Sequence, residues 1–201
     1  MKSFDFYPFP FLLGLLVLII VLYRHRQRGW RYVLVVTLFG FYVLAVVDAL
    51  FFPILISDDW PANLNTTDIL RTLRQVNWVP FHFDTPISSA AYPGANMRRL
   101  QWLDIIGNIL LTIPFGVGIT YLNRKDFKHA LLVGLGLGLL LEGMQLIVKL
   151  IVGGYYHTVD VNDVIWHALG FLLGYGIFTL GSHYVKKILP LKRGGQEGFS
   201  K

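Results

Sequence analysis

Cysteine is absent from this chain, so no disulfide framework, thiolate metal site or cysteine nucleophile can be built from it. Charge is scarce as well. Only 15% of residues are Asp, Glu, Lys or Arg against 54% hydrophobic, and a soluble domain of 201 residues with that balance would present large apolar patches to water. The net charge of +6 does not point to nucleic acid, because the basic residues sit in short clusters beside apolar runs and not along a polar face. The sequence also lacks a His-Glu-x-x-His helix, a serine elbow and a phosphate-binding glycine loop, and the common enzyme signatures go with them.

What is present is apolar sequence in lengths that match a bilayer. A window of about 20 residues, enough to cross roughly 30 Å of hydrocarbon, predicts five helical spans. They lie near residues 8–23, 32–56, 102–122, 130–152 and 163–185. Every second connection is basic: Arg24, Arg26, Arg28 and Arg31, then Arg124, Lys125 and Lys128, then Lys186, Lys187, Lys192 and Arg193. The positive-inside rule therefore predicts an all-α, polytopic five-helix bundle with its amino terminus outside and its carboxyl terminus inside. Residues 1–31 form an anchor helix and basic loop, 32–185 the main membrane domain with an outer loop at 57–101, and 186–201 a basic tail whose 194–198 stretch is expected to be disordered. The first run has its positive charges after it and no small-residue cleavage site, so it reads as a retained anchor in which Gly14 packs.

In the outer loop, turn-forming residues at 57–65 precede a short helix that Thr67 or Asp68 would cap. Ile69, Leu70, Leu73 and Val76 fall on one face of it and Arg71 and Arg74 on the other. Trp78, Phe81, Phe83 and Tyr92 suit the headgroup level.

The last two spans carry mirror-image seams. Gly134, Gly138, Glu142 and Gln145 recur at helical spacing on one, and Asp163, His167, Gly170 and Gly174 on the other. Antiparallel helices would bring the ionisable ends together. An ionisable group at the centre of a span costs about 2.5–3.5 kcal/mol on insertion scales, so several at matching depth mark a used site. With a rise of about 1.5 Å per residue, Asn108, Gln145 and His167 lie roughly 6–10 Å from the outer surface and Glu142 near the midplane, with Asp48 in the same outer half. The two small-x-x-x-small pairs are expected to draw the fourth and fifth spans together toward the cytoplasm and leave a wedge-shaped polar cavity facing outward. Pro114 is expected to kink the third span just inward of Asn108.

These residues stand in the order Asn77-x-x-Pro80-Phe81, Asn108 to Pro114-Phe115-Gly116, Glu142-x-x-Gln145, Asp160-x-x-Asp163 and Leu169-Gly170 to Gly174-Tyr175. In that order and spacing the chain resembles the VanZ-like family over about residues 77–175. The resemblance implies a small bacterial cell-membrane protein connected with resistance to teicoplanin, a lipoglycopeptide that binds cell-wall precursors. Two positions depart from the family's usual pattern: His157 stands where an arginine is common, and His167 where an asparagine is common. Lys149, seven residues beyond Glu142, is a candidate replacement for that arginine.

Three readings of the polar set follow. As a structural network, Glu142 pairs with Lys149, Asn108 and Gln145 give amide hydrogen bonds, and Asp160 or Asp163 caps the fifth span. As a binding site, Asn108, Glu142, Gln145, Lys149, Asp160, Asp163 and His167 hold the polar end of an amphiphile, a lipid-linked wall precursor or the lipoglycopeptide itself, whose tail stays among the membrane lipids. As an enzyme, Asp163 and His167 with Glu142 opposite would bind a metal or transfer protons on a lipid-linked substrate. The binding reading is the one adopted, with no catalytic residue, metal or cofactor assigned. Pro114, Gly116, Gly134, Gly138, Gly170 and Gly174 are assigned to packing.

Overall fold

Each apolar run is a helix in the computed structural model, which describes residues 2–56, 58, 66–82, 97–123, 126–152 and 159–188. In chain order the elements are strand β1 (Lys2–Phe4), helices α1 (Phe9–His25) and α2 (Trp30–Phe51), strand β2 (Ile54–Ile56), and helices α3 (Thr66–Arg74), α4 (Met97–Leu122), α5 (Phe127–Val152) and α6 (Val161–Ile188). Five of the helices are long and apolar enough to cross a membrane. The turn at 57–65 apart from Asp58, the aromatics Phe83 and Tyr92, the basic residues Arg124, Lys125, Lys192 and Arg193, His157, and the stretch 194–198 lie outside the described residues.

The second span is shorter than its apolar run suggests. It stops at Phe51, because Pro53 cannot donate to a helix and forces Phe52 into an extended backbone. Residues 54–56, expected inside that span, instead pair antiparallel with β1, with Lys2 opposite Ile56 and Phe4 opposite Ile54. A ring cluster of Phe4, Phe6, Tyr7, Phe11 and Phe52 seals this end. The helix α3 begins at Thr66, ahead of the expected caps at Thr67 or Asp68. Its Thr72 and the following Val76 are buried, while Ile69 and Leu70 are exposed.

The helix α6 is the hub, packed along α4 on one side and α5 on the other, with α2 over the α4–α5 side and α1 outermost. The glycines explain this, but with a different pairing from the one their spacing suggested. Gly134 and Gly138 do face α6: a Cβ at Gly138 would lie 2.7 Å from the Val164 carbonyl oxygen, and one at Gly134 3.2 Å from the Phe171 ring. Gly170 and Gly174, however, face α4, where a Cβ would strike the carbonyls of Ile109 and Ile113, and Gly116 of α4 faces the Phe171 carbonyl in return. The tightest seam is therefore α4–α6, and the two glycine pairs do not face each other across α5 and α6. A helix presents more than one face, so one small-residue stripe does not name its partner.

Pro114 lies inside α4, and side chains bond the carbonyls around it. The Tyr42 hydroxyl of α2 donates to the Leu111 carbonyl, and Thr112, fully buried, reaches the carbonyls of Asn108 at 3.0 Å and Ile109 at 3.2 Å. The buried apolar core near Pro114 is Val46, Phe115, Ala130 and Phe171. Strand pairing and the contacts of β2 with α5 gather β1, β2, the segment 77–82 and the start of α6 at one end of the bundle.

Candidate functional site

The site begins where α6 begins. Asp160 is the cap: its Oδ1 accepts the Asn162 amide at 2.8 Å, two residues on, the usual reach of an aspartate at a helix start. The same Oδ1 accepts the Asn77 side-chain amide at 2.8 Å. Backbone bonds from Asn77 N–H to the Val159 carbonyl (3.1 Å) and from Val161 N–H to the Asn77 carbonyl (3.0 Å) make a short parallel bridge. Asn77 and Asn162 both also donate to the His82 carbonyl, at 2.9 and 3.0 Å. Finally, the Phe81 amide donates to Asn162 Oδ1 at 2.6 Å, holding Phe81 in a left-handed backbone with φ of 60°. Such a conformation costs a non-glycine residue about 1–2 kcal/mol, and here the flanking bonds hold it. The Asn-x-x-Pro-Phe segment is thus a clasp on the α6 amino terminus.

Glu142 comes up from α5 beneath that clasp. It is buried, its Oε2 accepts the Asp160 amide at 3.3 Å, and its Oε1 lies 3.7 Å from His167 Nε2. His167, 1% exposed, turns its Nδ1 to the Asn108 carbonyl at 3.2 Å. A carbonyl only accepts, so Nδ1 is the ring nitrogen that donates there, which turns Nε2 toward the Glu142 carboxylate. The Asn108 side chain is hydrogen-bonded to the Asp163 carboxylate. Asp104, one turn before Asn108 on α4, is close enough for its charge to act on Asp163, Glu142, Asp160 and His167.

The seven predicted positions therefore divide. Glu142 and Asp160 border a cleft of about 160 Å³ between residues 76–78 and the α5–α6 pair. Leu139, Leu146 and Val164 form its apolar walls, with Gly143 in the α5 face and the Trp78 ring at the rim. Leu139 and Trp78 are exposed, so the cleft opens sideways, onto the surface the helices present to lipid. Asn108, Asp163 and His167 lie at the α4–α6 crossing and do not border the cleft. Gln145 points to α2, where its amide donates to the Leu50 carbonyl at 3.4 Å. Lys149 is buried on α5 and forms no ion pair among the described residues; the group facing Glu142 is His167. Two helical turns separate Lys149 from Glu142, about 10 Å of rise, too far for a direct bond. The cleft is also more apolar than the cavity expected from the sequence. No three His, Asp or Glu side chains among the described residues are arranged to hold a metal.

Asp104 and Asn162 are site residues that sequence reasoning did not select, and Asn77 entered it only as part of the Asn-x-x-Pro-Phe element. Asp104 had a usable signal, its i, i+4 spacing to Asn108; Asn162 did not, because its partners lie about 80 residues away.

Compared with known proteins, the chain matches the family model described as VanZ/LLP1 over residues 39–182, which takes in α4, α5, α6 and the clasp. No curated protein and no solved structure matches it.

Proposed function

The chain belongs to the VanZ/LLP1 family, and from that premise we propose that it lowers susceptibility to teicoplanin-type lipoglycopeptides by holding the polar end of an amphipathic molecule in the cleft beside Glu142. The observation that carries this is the cleft itself: apolar walls, a sideways opening past exposed Leu139 and Trp78, and a buried carboxylate at its edge. That combination suits a molecule with one polar end and an aliphatic tail, because the tail can stay among lipid chains while the head leaves them. Under the positive-inside rule the basic connections favour an extracytoplasmic position for this end of the bundle, in the leaflet where an acylated antibiotic or a lipid-linked wall precursor would be met.

Gly143 offers a clean test. It borders the cleft, and a Cβ there meets nothing within 4 Å, so Gly143→Leu fills the space without pressing on the helix seams. Expressed in a susceptible bacterium, the wild-type chain should raise the inhibitory concentration of teicoplanin more than that of a glycopeptide without an acyl chain. Gly143→Leu, present at the same level in the membrane, should abolish that rise. Full protection by the filled variant would refute the cleft as the working site.

A further inference from the structure

Among the described residues, the cleft has acceptors and almost no free donors. The only charged side chains that the described residues place on its wall are the carboxylates of Glu142 and Asp160, and no basic side chain among them borders it. The start of a helix ordinarily offers free amides to an anion, but here they are used: Asp160 N–H by Glu142, Val161 N–H by the Asn77 carbonyl, Asn162 N–H by Asp160 Oδ1 and Asp163 N–H by the Asp160 carbonyl. The Asn77 side-chain amide is committed to His82 and Asp160. Both hydrogen bonds to the Asp160 carboxylate fall on Oδ1, which leaves Oδ2 as an acceptor without a bond among the described residues. Behind the wall stand Asp104 and Asp163, and the one nearby base, His167, is sealed on the far side of Glu142.

We propose that the head this cleft selects is a protonated amine on an aliphatic chain, and that it discriminates against phosphate and carboxylate heads. This rests on the reading of the cleft as an amphiphile site and names the chemistry of its ligand. A primary ammonium brings three donors to a place where the described residues leave only acceptors free, and its charge opposes that of Glu142 and Asp160. An anionic head would find no donor and would meet like charge, the arrangement by which a site excludes a competitor. The volume of about 160 Å³ is roughly that of five water-sized groups, enough for the ammonium and the first few carbons. The remaining carbons leave past Trp78 and Leu139.

Trp78 at the rim is a built-in reporter. The full-length protein is placed in phosphatidylcholine nanodiscs and titrated with three chain-brominated probes of equal length: dodecylammonium, dodecanol and dodecyl phosphate. Bromine quenches indole fluorescence on contact, and the Trp78→Phe variant identifies the part of the signal that comes from the cleft. The ammonium should quench saturably, roughly tenfold more tightly than the phosphate and more tightly than the alcohol, with the preference weakening as salt is raised. Glu142→Gln should lose about tenfold in ammonium affinity and narrow the gap to phosphate. Asp104→Asn, at an exposed position off the cleft wall, should lose about twofold through its field alone, and it carries the test if the buried substitution fails to fold. Equal or tighter binding of the phosphate or the alcohol would overturn the charge inference and leave the amphiphile site standing. No saturable Trp78 quenching by any of the three would overturn both. Ammonium affinity unchanged in every folded carboxylate variant would also overturn the charge inference.

Discussion

Replacing Gly170 by alanine adds one methyl group at the tightest place in the bundle. The new Cβ would strike the Ile109 carbonyl oxygen and the Thr112 hydroxyl, and neither can yield. The first is backbone inside α4, and the second belongs to a side chain that is 0% exposed and already bonded to two carbonyls. To restore an ordinary contact of ~3.5 Å, α4 and α6 must separate by on the order of 1 Å, and a gap of that size forfeits roughly a quarter to a half of each dispersion contact along the seam. Overpacking of this kind costs about 1–3 kcal/mol, offset by about 0.5–1 kcal/mol because alanine is the better helix former. A net loss of about 1–2 kcal/mol follows, which for a chain of this size lowers the unfolding midpoint by ~2–8 °C.

Gly136 is the matched control. It lies in α5, and a Cβ there meets nothing within 4 Å, so Gly136→Ala should be neutral or slightly stabilising. Thermal unfolding of both variants in the same detergent, followed by helical circular dichroism and by size-exclusion of the surviving fold, measures the difference. Gly170→Ala should also disturb the site, since Gly170 is one turn from His167 and the seam sets the 3.2 Å distance from His167 to the Asn108 carbonyl. If Gly170→Ala matches or exceeds the wild type in stability, or Gly136→Ala loses as much, the close approach of α4 and α6 does not exist as described.

Asn77→Ala removes the side chain that bonds Asp160, His82 and the Val79 amide. It should cost about 1–3 kcal/mol and speed amide exchange over residues 77–82 while the long helices stay protected. His167→Asn keeps a donor for the Asn108 carbonyl and loses only the contact with Glu142, whereas His167→Ala loses both and should be less stable than the asparagine variant by about 1–3 kcal/mol; equal midpoints for the two would contradict this bonding scheme. Tyr42→Phe loses only the bond to the Leu111 carbonyl beside Pro114 and should lower stability by about 1 kcal/mol, read from the same unfolding curves.

The spans were legible because hydropathy and length act locally, and the polar stripe was legible because helical spacing fixes a face. What spacing does not fix is the neighbour. Gly170 and Gly174 lie on the same stripe as His167, which suggested one partner for the whole set; the structure turns the glycines to α4 and lets the imidazole bridge α4 and α5. Lys149 shares Glu142's stripe as well, but a stripe is not a contact when two turns intervene. Strand β1 has three residues, too few for alternation to register, whereas the end of α2 was readable from Pro53 and was overridden by the apolar run continuing to Ile56. The clasp joins residues about 80 apart in sequence, and no local pattern encodes that.

His167 then gains a physical rationale. An asparagine at this position would reach the Asn108 carbonyl but is too short to extend to a carboxylate on the opposite helix. The imidazole does both, with Nδ1 on Asn108 and Nε2 3.7 Å from Glu142. A carboxylate this deeply buried is costly without a proton or a partner, and the lysine on its own helix stands two turns away. The base is supplied instead from α6, the helix whose start is clasped by Asn77 and whose seam is fixed by Gly170 and Gly174. The contact of His167 with Glu142 is therefore held in place by the tightest packing among the described residues. The opposite edge of Glu142 meets the cleft, where nothing among the described side chains competes with an incoming donor.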